Sequence, residues 1–231
     1  MNTASSSDGC VVYDLTENPT KPKYLFDTGG SGGCHDSMVQ TNVDVGGQPK
    51  DLWFISEGYS RRATIRDITS VNSETKTVPP SIITTPSLSN SYAHSGTLYK
   101  NRFFFQTDEN NLHDISVYDI DNLSSPPQMI SKFQHSEESL FNSITHNGFT
   151  RGNYYYSSYY QAGFRAFDIS NPFYVWEVGK VETYRDPDGD GKYQKVNKPD
   201  YAGAWNSFLD LPSENILVND MFFGLFIVKA K

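Results

Sequence analysis

The feature that most constrains the fold of this 231-residue chain is a unit of roughly 50 residues that recurs along it. Each unit contains a short strand-like stretch that ends in Asp, followed by Leu or Ile and a polar residue, as in FRAFDISNP. The strand-ending position is taken in successive units by Asp14, Asp67, Asp119, Asp168 and Lys229. Because an Asp side chain accepts hydrogen bonds from backbone N–H groups two residues on, we expect this residue to hold a turn.

A His or Trp precedes the strands of each unit and gives a second landmark. These residues are His35, His94, His146 and Trp205. An aromatic or apolar strand lies between the two landmarks, and a polar turn and another strand follow the Asp. Each unit therefore predicts four short strands, which we name A to D, with A starting at the His or Trp and C ending at the Asp. Four-stranded units of this period are typical of a β-propeller.

Composition agrees with an all-β chain, since aromatic residues make up 14% of it, with 15 Tyr and 15 Phe. The chain begins and ends within a strand C. We therefore predict one β-propeller domain over residues 1–231, with residues 1–9 as a disordered tail. Four-stranded blades would number about four to five, or the chain would be part of a larger propeller. If the ring closes, the N-terminal D strand would complete the last blade.

Residues of several units are expected to meet at one end of the propeller channel. Strands run antiparallel from axis to rim, so the start of strand A and the end of strand B share a face. The candidate ligand-binding residues there are His35, Glu57, His94, Asp108, Glu109, His146, Tyr159, Trp205 and Asp220. Such groups suit a cation or a small polar ligand, and Tyr159 and Tyr160 could stack on a carbohydrate or a partner protein. The alternative is that the histidines bond within their own blades and the tyrosines pack between blades.

An acidic loop, DPDGDGK, matches the start of a calcium-binding loop. Its candidate ligands are Asp186, Asp188, Asp190, Lys192 (through its carbonyl) and Asp200. Asn197 stands where a helix-loop-helix site has a bidentate Glu, and no helical pattern flanks the loop. The sequence therefore predicts calcium as a cofactor outside a helix-loop-helix, with a solvated turn as the alternative.

Charge, hydropathy and cysteine content limit the partners and the compartment. A net charge of −8 argues against nucleic acid as a partner, and no apolar run is long enough for a membrane span. Blade geometry places Cys10 near Cys34, so a disulfide is sterically feasible and would indicate an oxidising compartment; two buried thiols are the alternative. The first residues lack the basic and apolar parts of an export signal. Either the chain is intracellular, or an export segment lies outside this sequence.

The second half of the chain resembles a known family. The stretches THNGFTRGNYYYSSYYQAGFRAFDISNP and AGAWNSFLDLPSENILVNDMFFGLFIVKAK are similar to the LVIVD-repeat β-propellers of the choice-of-anchor B family of bacterial surface proteins. The shared elements are a His-Asn step, a G-N-Y-x-Y strand, an A-G-F-R strand, a G-A-W step and a final G-L-F-I strand. The match is looser before residue 90. The resemblance implies a secreted or surface-anchored propeller and carries no established catalytic residues.

Three functions fit these observations. The first is an extracellular or cell-surface binding or scaffold module without catalysis, stabilised by calcium, whose partner is a protein, a carbohydrate or a small polar ligand. The second is a metal-dependent hydrolase or lyase that uses the histidines and acidic residues of the channel mouth. The third is an intracellular platform for protein interactions. No catalytic residue is assigned, because the chain carries no G-x-S-x-G or H-E-x-x-H pattern.

Overall fold

The computed structural model describes residues 9–29, 33–110, 113–137, 143–184 and 201–229. All regular secondary structure in these ranges is β-strand, and the strands form five antiparallel sheets. No helix in this part of the chain is long and apolar enough to cross a membrane. The acidic loop and residues 1–8 lie outside the described residues, so the predictions made for them stay predictions.

The sheets follow one another in chain order. The first contains β1 (Val11–Asp14) and β2 (Lys23–Asp27). The second contains β3 (Asp36–Val45), β4 (Gln48–Ser56), β5 (Ala63–Asp67) and β6 (Ser81–Thr84). The third contains β7 (Ala93–Tyr99), β8 (Phe103–Asp108), β9 (Ile115–Asp119) and β10 (Gln128–Phe133). The fourth contains β11 (Gly148–Arg151), β12 (Tyr154–Ser158), β13 (Phe164–Asp168) and β14 (Trp176–Val181). The fifth contains β15 (Ala204–Phe208), β16 (Ile216–Asp220) and β17 (Gly224–Val228).

The prediction of a β-propeller with four-stranded blades is confirmed. The second, third and fourth sheets are complete A–B–C–D meanders, and the A strands β3, β7, β11 and β15 contact one another in succession. The strand-ending Asp holds its turn as expected: Asp168 Oδ1 accepts a hydrogen bond of 2.8 Å from the Ser170 N–H, and Asp14, Asp67 and Asp119 do the same two residues on. Each blade is therefore closed at strand C by a local side-chain contact.

The blades are held together by alternating side chains of the B strands. Neighbouring residues of a strand point to opposite faces, so Phe104 stacks on Phe54 of the preceding blade at 4.9 Å, while Phe105 stacks on Tyr155 of the following blade at 5.2 Å. These rings are almost completely buried, and each buried aromatic side chain of this size contributes about 1.5–3 kcal/mol. The core thus lies between blades, and this packing fixes the positions of the A strands at the axis.

The two end sheets are incomplete. Among the described residues, β1 pairs only with β2 and β17 only with β16, so the N-terminal D strand does not complete the last blade. Cys10 and Cys34 form a disulfide with their Cα atoms 5.2 Å apart. Together with Trp53, the two cysteines belong to a buried cluster that joins the first sheet to the second. The disulfide therefore fastens the N-terminal strands to the first complete blade.

Candidate functional site

Three histidines and a tryptophan from successive blades meet at the axis. The ring centroids of His35 and His94 are 4.3 Å apart, those of His94 and His146 are 4.1 Å apart, and the Trp205 ring follows at 4.0 Å from His146. His94 and His146 are buried, and His35 and Trp205 are partly exposed. The landmark residues of the repeat therefore form one continuous row of rings on a single face.

Local backbone features direct these rings to the axis. The pairing of β7 with β8 shifts register between Ala93 and Gly96, and that of β15 with β16 shifts between Ala204 and Asn206. Each shift is a bulge, which turns a side chain away from the regular pleat, and the bulged segments hold His94 and Trp205. His146 instead continues the hydrogen-bond ladder between β11 and β12, because its N–H donates to the Ser158 carbonyl at 2.8 Å.

The Glu109 carboxylate lies among the three imidazoles. Its Oε2 is 3.9 Å from Nε2 of His35 and 3.5 Å from Nε2 of His94, and its Oε1 is 3.7 Å from Nε2 of His146. These separations are too long for strong hydrogen bonds. Among the described residues, the ligand atoms of His35, His94 and Glu109 form a group within 4.8 Å of one another that could hold a metal ion. Three ring nitrogens thus surround one carboxylate.

The charge state of this cluster allows a proton or a cation between its members. Burial lowers the pKa of His94 well below its usual value and that of His146 to about 4, so both rings are neutral at pH 7. His146 Nδ1 lies 2.5 Å from the Trp205 carbonyl, which can only accept a hydrogen bond, so Nδ1 carries the proton and Nε2 offers a lone pair. Burial also raises the pKa of Glu109. A lone pair facing a carboxylate oxygen is unfavourable unless a proton or a cation lies between them.

Two tyrosine hydroxyls hold the cluster from outside. Tyr160 Oη donates to Glu109 Oε1 at 2.6 Å, and Tyr92 Oη lies 2.8 Å from His35 Nδ1. Burial and the neighbouring carboxylate raise the pKa of Tyr160, so its hydroxyl keeps its proton and acts as a donor. Tyr160 has a positive φ of 35°, an uncommon backbone conformation that residues at functional sites adopt more often. Gly203 accommodates this conformation of Tyr160, because a Cβ at position 203 would clash with the Tyr160 carbonyl oxygen.

Four predicted site residues do not reach the axis. They are Glu57, Asp108, Tyr159 and Asp220, and each directly follows or ends a B strand. Asp108 Oδ1 accepts hydrogen bonds of 3.0 Å from the Tyr92 and Asn110 N–H groups. The Glu57 carboxylate bonds Arg62 and Thr64 inside its own blade.

Asp220 and Tyr159, the other two of these four residues, also point into their blades. Asp220 accepts a hydrogen bond of 2.7 Å from the Thr183 hydroxyl, and Tyr159 is buried against His135. The physical reason is the alternation of side chains at the strand end: this position points into the blade, and the next one, occupied by Glu109 and Tyr160, points to the axis. The structure thus places these four side chains away from the axial cluster, and their role in ligand binding stays a prediction.

Sequence reasoning missed several aromatic residues that the structure places at the site. Tyr92 contacts His35, and the Tyr59 ring meets Tyr92 edge-on at 4.8 Å. The Tyr201 ring meets Tyr160 edge-on at 5.5 Å, and its hydroxyl donates to the Glu109 carbonyl at 3.4 Å. The available signal was the position of Tyr92 and Tyr201 just before the His and Trp landmarks of their units.

Comparisons with known proteins bear on the fold alone. No protein-family model matches the chain, and no curated protein matches it. Among solved structures, the chain is similar to the computationally designed Ika8 protein, with a TM-score of 0.54 and 9% identity over 98% of this chain and 54% of that one. It also matches the computationally designed Ika4 protein, with a TM-score of 0.47 and 7% identity over 86% of this chain and 96% of that one.

A natural protein appears in the same comparison. Glutaminyl cyclase of Myxococcus xanthus matches with a TM-score of 0.37 and 10% identity over 86% of this chain and 92% of that one. Of the Ika8 protein described above, this chain spans about half the length. The Ika8 likeness agrees with the propeller fold and, at this identity, with nothing more specific.

Proposed function

We propose that this chain is an extracellular or cell-surface β-propeller that holds a divalent transition metal on its axis and binds a ligand there. The proposed metal ligands are His35, His94 and Glu109, whose ligand atoms lie within 4.8 Å of one another, which leaves a fourth position of the ion open. The observation that carries the proposal is the convergence of three Nε2 atoms on one carboxylate at 3.5, 3.7 and 3.9 Å. His35 and His94 come from neighbouring blades and Glu109 directly follows β8, so a rigid scaffold positions the ligands, which favours a defined site.

The spacing and the chemistry fit an ion of the zinc class. Ligand atoms about 2.1 Å from a tetrahedral ion lie about 3.4 Å from one another, close to the distances found here. Neutral imidazoles with a carboxylate suit zinc and its neighbours better than calcium or magnesium, which prefer oxygen ligands. The contact of Tyr92 Oη with Nδ1 of His35 is the outer hydrogen bond that a ligating histidine normally has. The residues present therefore fit such an ion.

Calorimetric titration of the metal-stripped protein with Zn²⁺ tests the site. We expect one ion per chain, and a loss of affinity of at least about 100-fold in His94→Ala. His113→Ala is the matched control, because His113 lies beside Asp108 at 3.6 Å and outside the axial cluster. Binding to the folded wild-type protein that His94→Ala leaves unchanged, or no binding at all, would refute the proposal.

The cysteines support the proposed location. Disulfides persist mainly in oxidising compartments, and the structure joins Cys10 to Cys34. The resemblance to LVIVD-repeat surface proteins points the same way. Thiol counting on native protein purified without reductant tests this placement: two free thiols would favour the intracellular platform instead.

A metal-dependent hydrolase or lyase is the second candidate, and Asp36 is the residue that favours it. Asp36 directly follows His35, and burial raises the pKa of its carboxyl group. A carboxylate next to a metal ligand in the chain could accept a proton during hydrolysis if it turned toward the ion, which would act as a Lewis acid. Zinc-loaded protein assayed with p-nitrophenyl acetate should show turnover that Asp36→Asn abolishes while zinc affinity stays intact. Equal rates for the two proteins would leave the binding module as the sole function.

We also propose calcium binding by the acidic loop, from Asp186, Asp188, Asp190 and the Lys192 carbonyl, with Asp200. The support is the order of oxygen-bearing residues in the sequence. Added Ca²⁺ should raise the melting temperature, because binding to the native state stabilises it. The same titration on Asp188→Asn should give no shift, and an unchanged melting temperature in the wild-type protein would dismiss this site.

A further inference from the structure

We infer that the ligand of the axial site is a neutral saccharide ring. The inference rests on the proposed metal site and deepens it, since it names the class of molecule that the site takes. Its basis is a set of aromatic residues around the open side of the cluster, which we call the aromatic collar: Tyr59, Tyr92, Tyr201 and Trp205.

The collar leaves aromatic faces exposed beside a polar centre. Tyr59 is 72% exposed, Tyr201 51% and Trp205 37%. Their rings are held in place by edge contacts: Tyr59 meets Tyr92 at 83°, and Tyr201 meets Tyr160 at 89°. Single exposed aromatic residues are common, but here three of them border the same cluster. Such an arrangement is typical of a ligand site.

The approach to the cluster is from one side. The side chain of His35 is 32% exposed, while those of His94 and His146 are 5% and 3% exposed. A ligand can therefore reach the proposed ion past His35. The Tyr92–Tyr59 pair lies against His35 and forms a wall on that route.

Charge disfavours an organic cation as the ligand of this site. A divalent ion with the Glu109 carboxylate and two neutral imidazoles gives a centre of net positive charge, which repels an organic cation. In the described part of the chain, the contacts between cations and aromatic rings involve Tyr99, Phe103 and Tyr156, none of them in the collar. No Lys or Arg on these rings adds a second contact for a carboxylate or phosphate group, so the binding of such an anion would depend on the ion alone.

A neutral ring with an apolar face and several hydroxyl groups meets the remaining requirements. Aromatic side chains can stack on the apolar face of a pyranose, and a hydroxyl group of the sugar can take the open position of an ion that three protein ligands hold. Tyr159 and Tyr160, for which the sequence left open stacking on a carbohydrate or packing between blades, are buried inside the protein. The exposed rings of Tyr59, Tyr201 and Trp205 take that role instead.

Saturation-transfer NMR with methyl glycosides of glucose, galactose and mannose tests the inference on zinc-loaded protein. We expect saturation transfer to the sugar C–H protons with the zinc-loaded wild-type protein and no such signal with the metal-free protein. The affinity for the glycoside should be at least about tenfold weaker in Tyr59→Ala and Tyr201→Ala. Tyr174→Ala is the matched control, since Tyr174 is 73% exposed and lies in the loop before β14. Zinc affinity is measured on every variant in parallel.

The outcomes separate the two proposals. Normal zinc binding with no saccharide signal overturns the inference and leaves the metal site standing. No zinc binding overturns both. Saccharide binding that persists without zinc, or that Tyr174→Ala weakens as much as Tyr201→Ala, also overturns it, as does stronger binding of tetramethylammonium or inorganic phosphate than of any glycoside.

Discussion

The Tyr160 hydroxyl is expected to control the affinity of the axial site without touching the ion. It donates to Glu109 Oε1 at 2.6 Å from a fully buried ring, so Tyr160→Phe removes one hydrogen bond to a carboxylate and little else. Hydrogen bonds to charged groups contribute about 1.5–3 kcal/mol. Since 1.4 kcal/mol is a factor of about ten, zinc affinity should fall by about 10- to 100-fold, as is usual for residues behind a metal ligand.

The same substitution should change the pH dependence of binding. The hydrogen bond from Tyr160 lowers the pKa of Glu109, against the larger effect of burial, which raises it. Without the hydroxyl the carboxylate holds its proton to higher pH, and zinc must displace that proton. Competition with a fluorescent chelator between pH 5.5 and 8 should therefore show a loss of affinity that grows toward acidic pH.

Tyr159→Phe is the matched control for this experiment. Tyr159 is the adjacent residue, equally buried, and its hydroxyl has no hydrogen-bond partner among the described residues. Its removal should leave zinc affinity unchanged and should not destabilise the fold. Wild-type affinity in Tyr160→Phe at every pH, or an equal loss in Tyr159→Phe, would refute the role assigned to Tyr160.

Three further predictions concern stability. His146 has a pKa of about 4 in the folded protein against 6.5 unfolded, so the unfolded chain binds more protons between these pH values. The unfolding free energy of the metal-free protein, measured by urea titration, should therefore fall by about 3 kcal/mol as the pH is lowered from 6.5 to 4. An unfolding free energy that does not change over this range would contradict the prediction. Arg165→Met should cost about 3–5 kcal/mol in chemical denaturation, because it leaves Glu137 and Glu177 without their buried partner; removal of the half-exposed Lys180 should cost under about 1 kcal/mol. Replacing Cys10 and Cys34 by Ser should lower the unfolding free energy by about 3 kcal/mol, and no difference between oxidised and reduced protein would disprove the contribution of the bridge.

The blades could be predicted from the sequence because their signals are local. An Asp that accepts a hydrogen bond two residues on, as Asp67 does from Thr69 at 3.0 Å, marks the end of strand C wherever it occurs. A run such as Phe103–Phe105 marks a strand B buried on both faces. The repeat then needs only its spacing to place every blade, and the structure agrees strand by strand.

The site could be predicted only in part, because it depends on register. The sequence offers Asp108 and Glu109 side by side, and only the geometry at the end of β8 decides that Glu109 faces the axis while Asp108 binds backbone N–H groups. The bulge at His94 is likewise invisible in the order of residues. Contacts between blades, such as Tyr160 with Glu109 across 51 positions of the chain, cannot be derived from a single repeat.

Repetition alone would favour a passive scaffold, but equivalent positions of the blades carry different residues. The register of strands B and C makes Gly58, Glu109 and Tyr160 equivalent, since each lies at the same distance from the residue paired with the strand-ending Asp. Glu109 supplies the carboxylate and Tyr160 supplies its hydrogen bond. Gly58 supplies room: a Cβ there would lie 3.1 Å from the Tyr92 ring, which bonds His35 at the exposed side of the cluster. The histidines thus occupy equivalent positions of the repeat. The three residues at the end of strand B differ from blade to blade, and this difference provides the carboxylate of the site, the hydrogen bond to it and the room beside Tyr92.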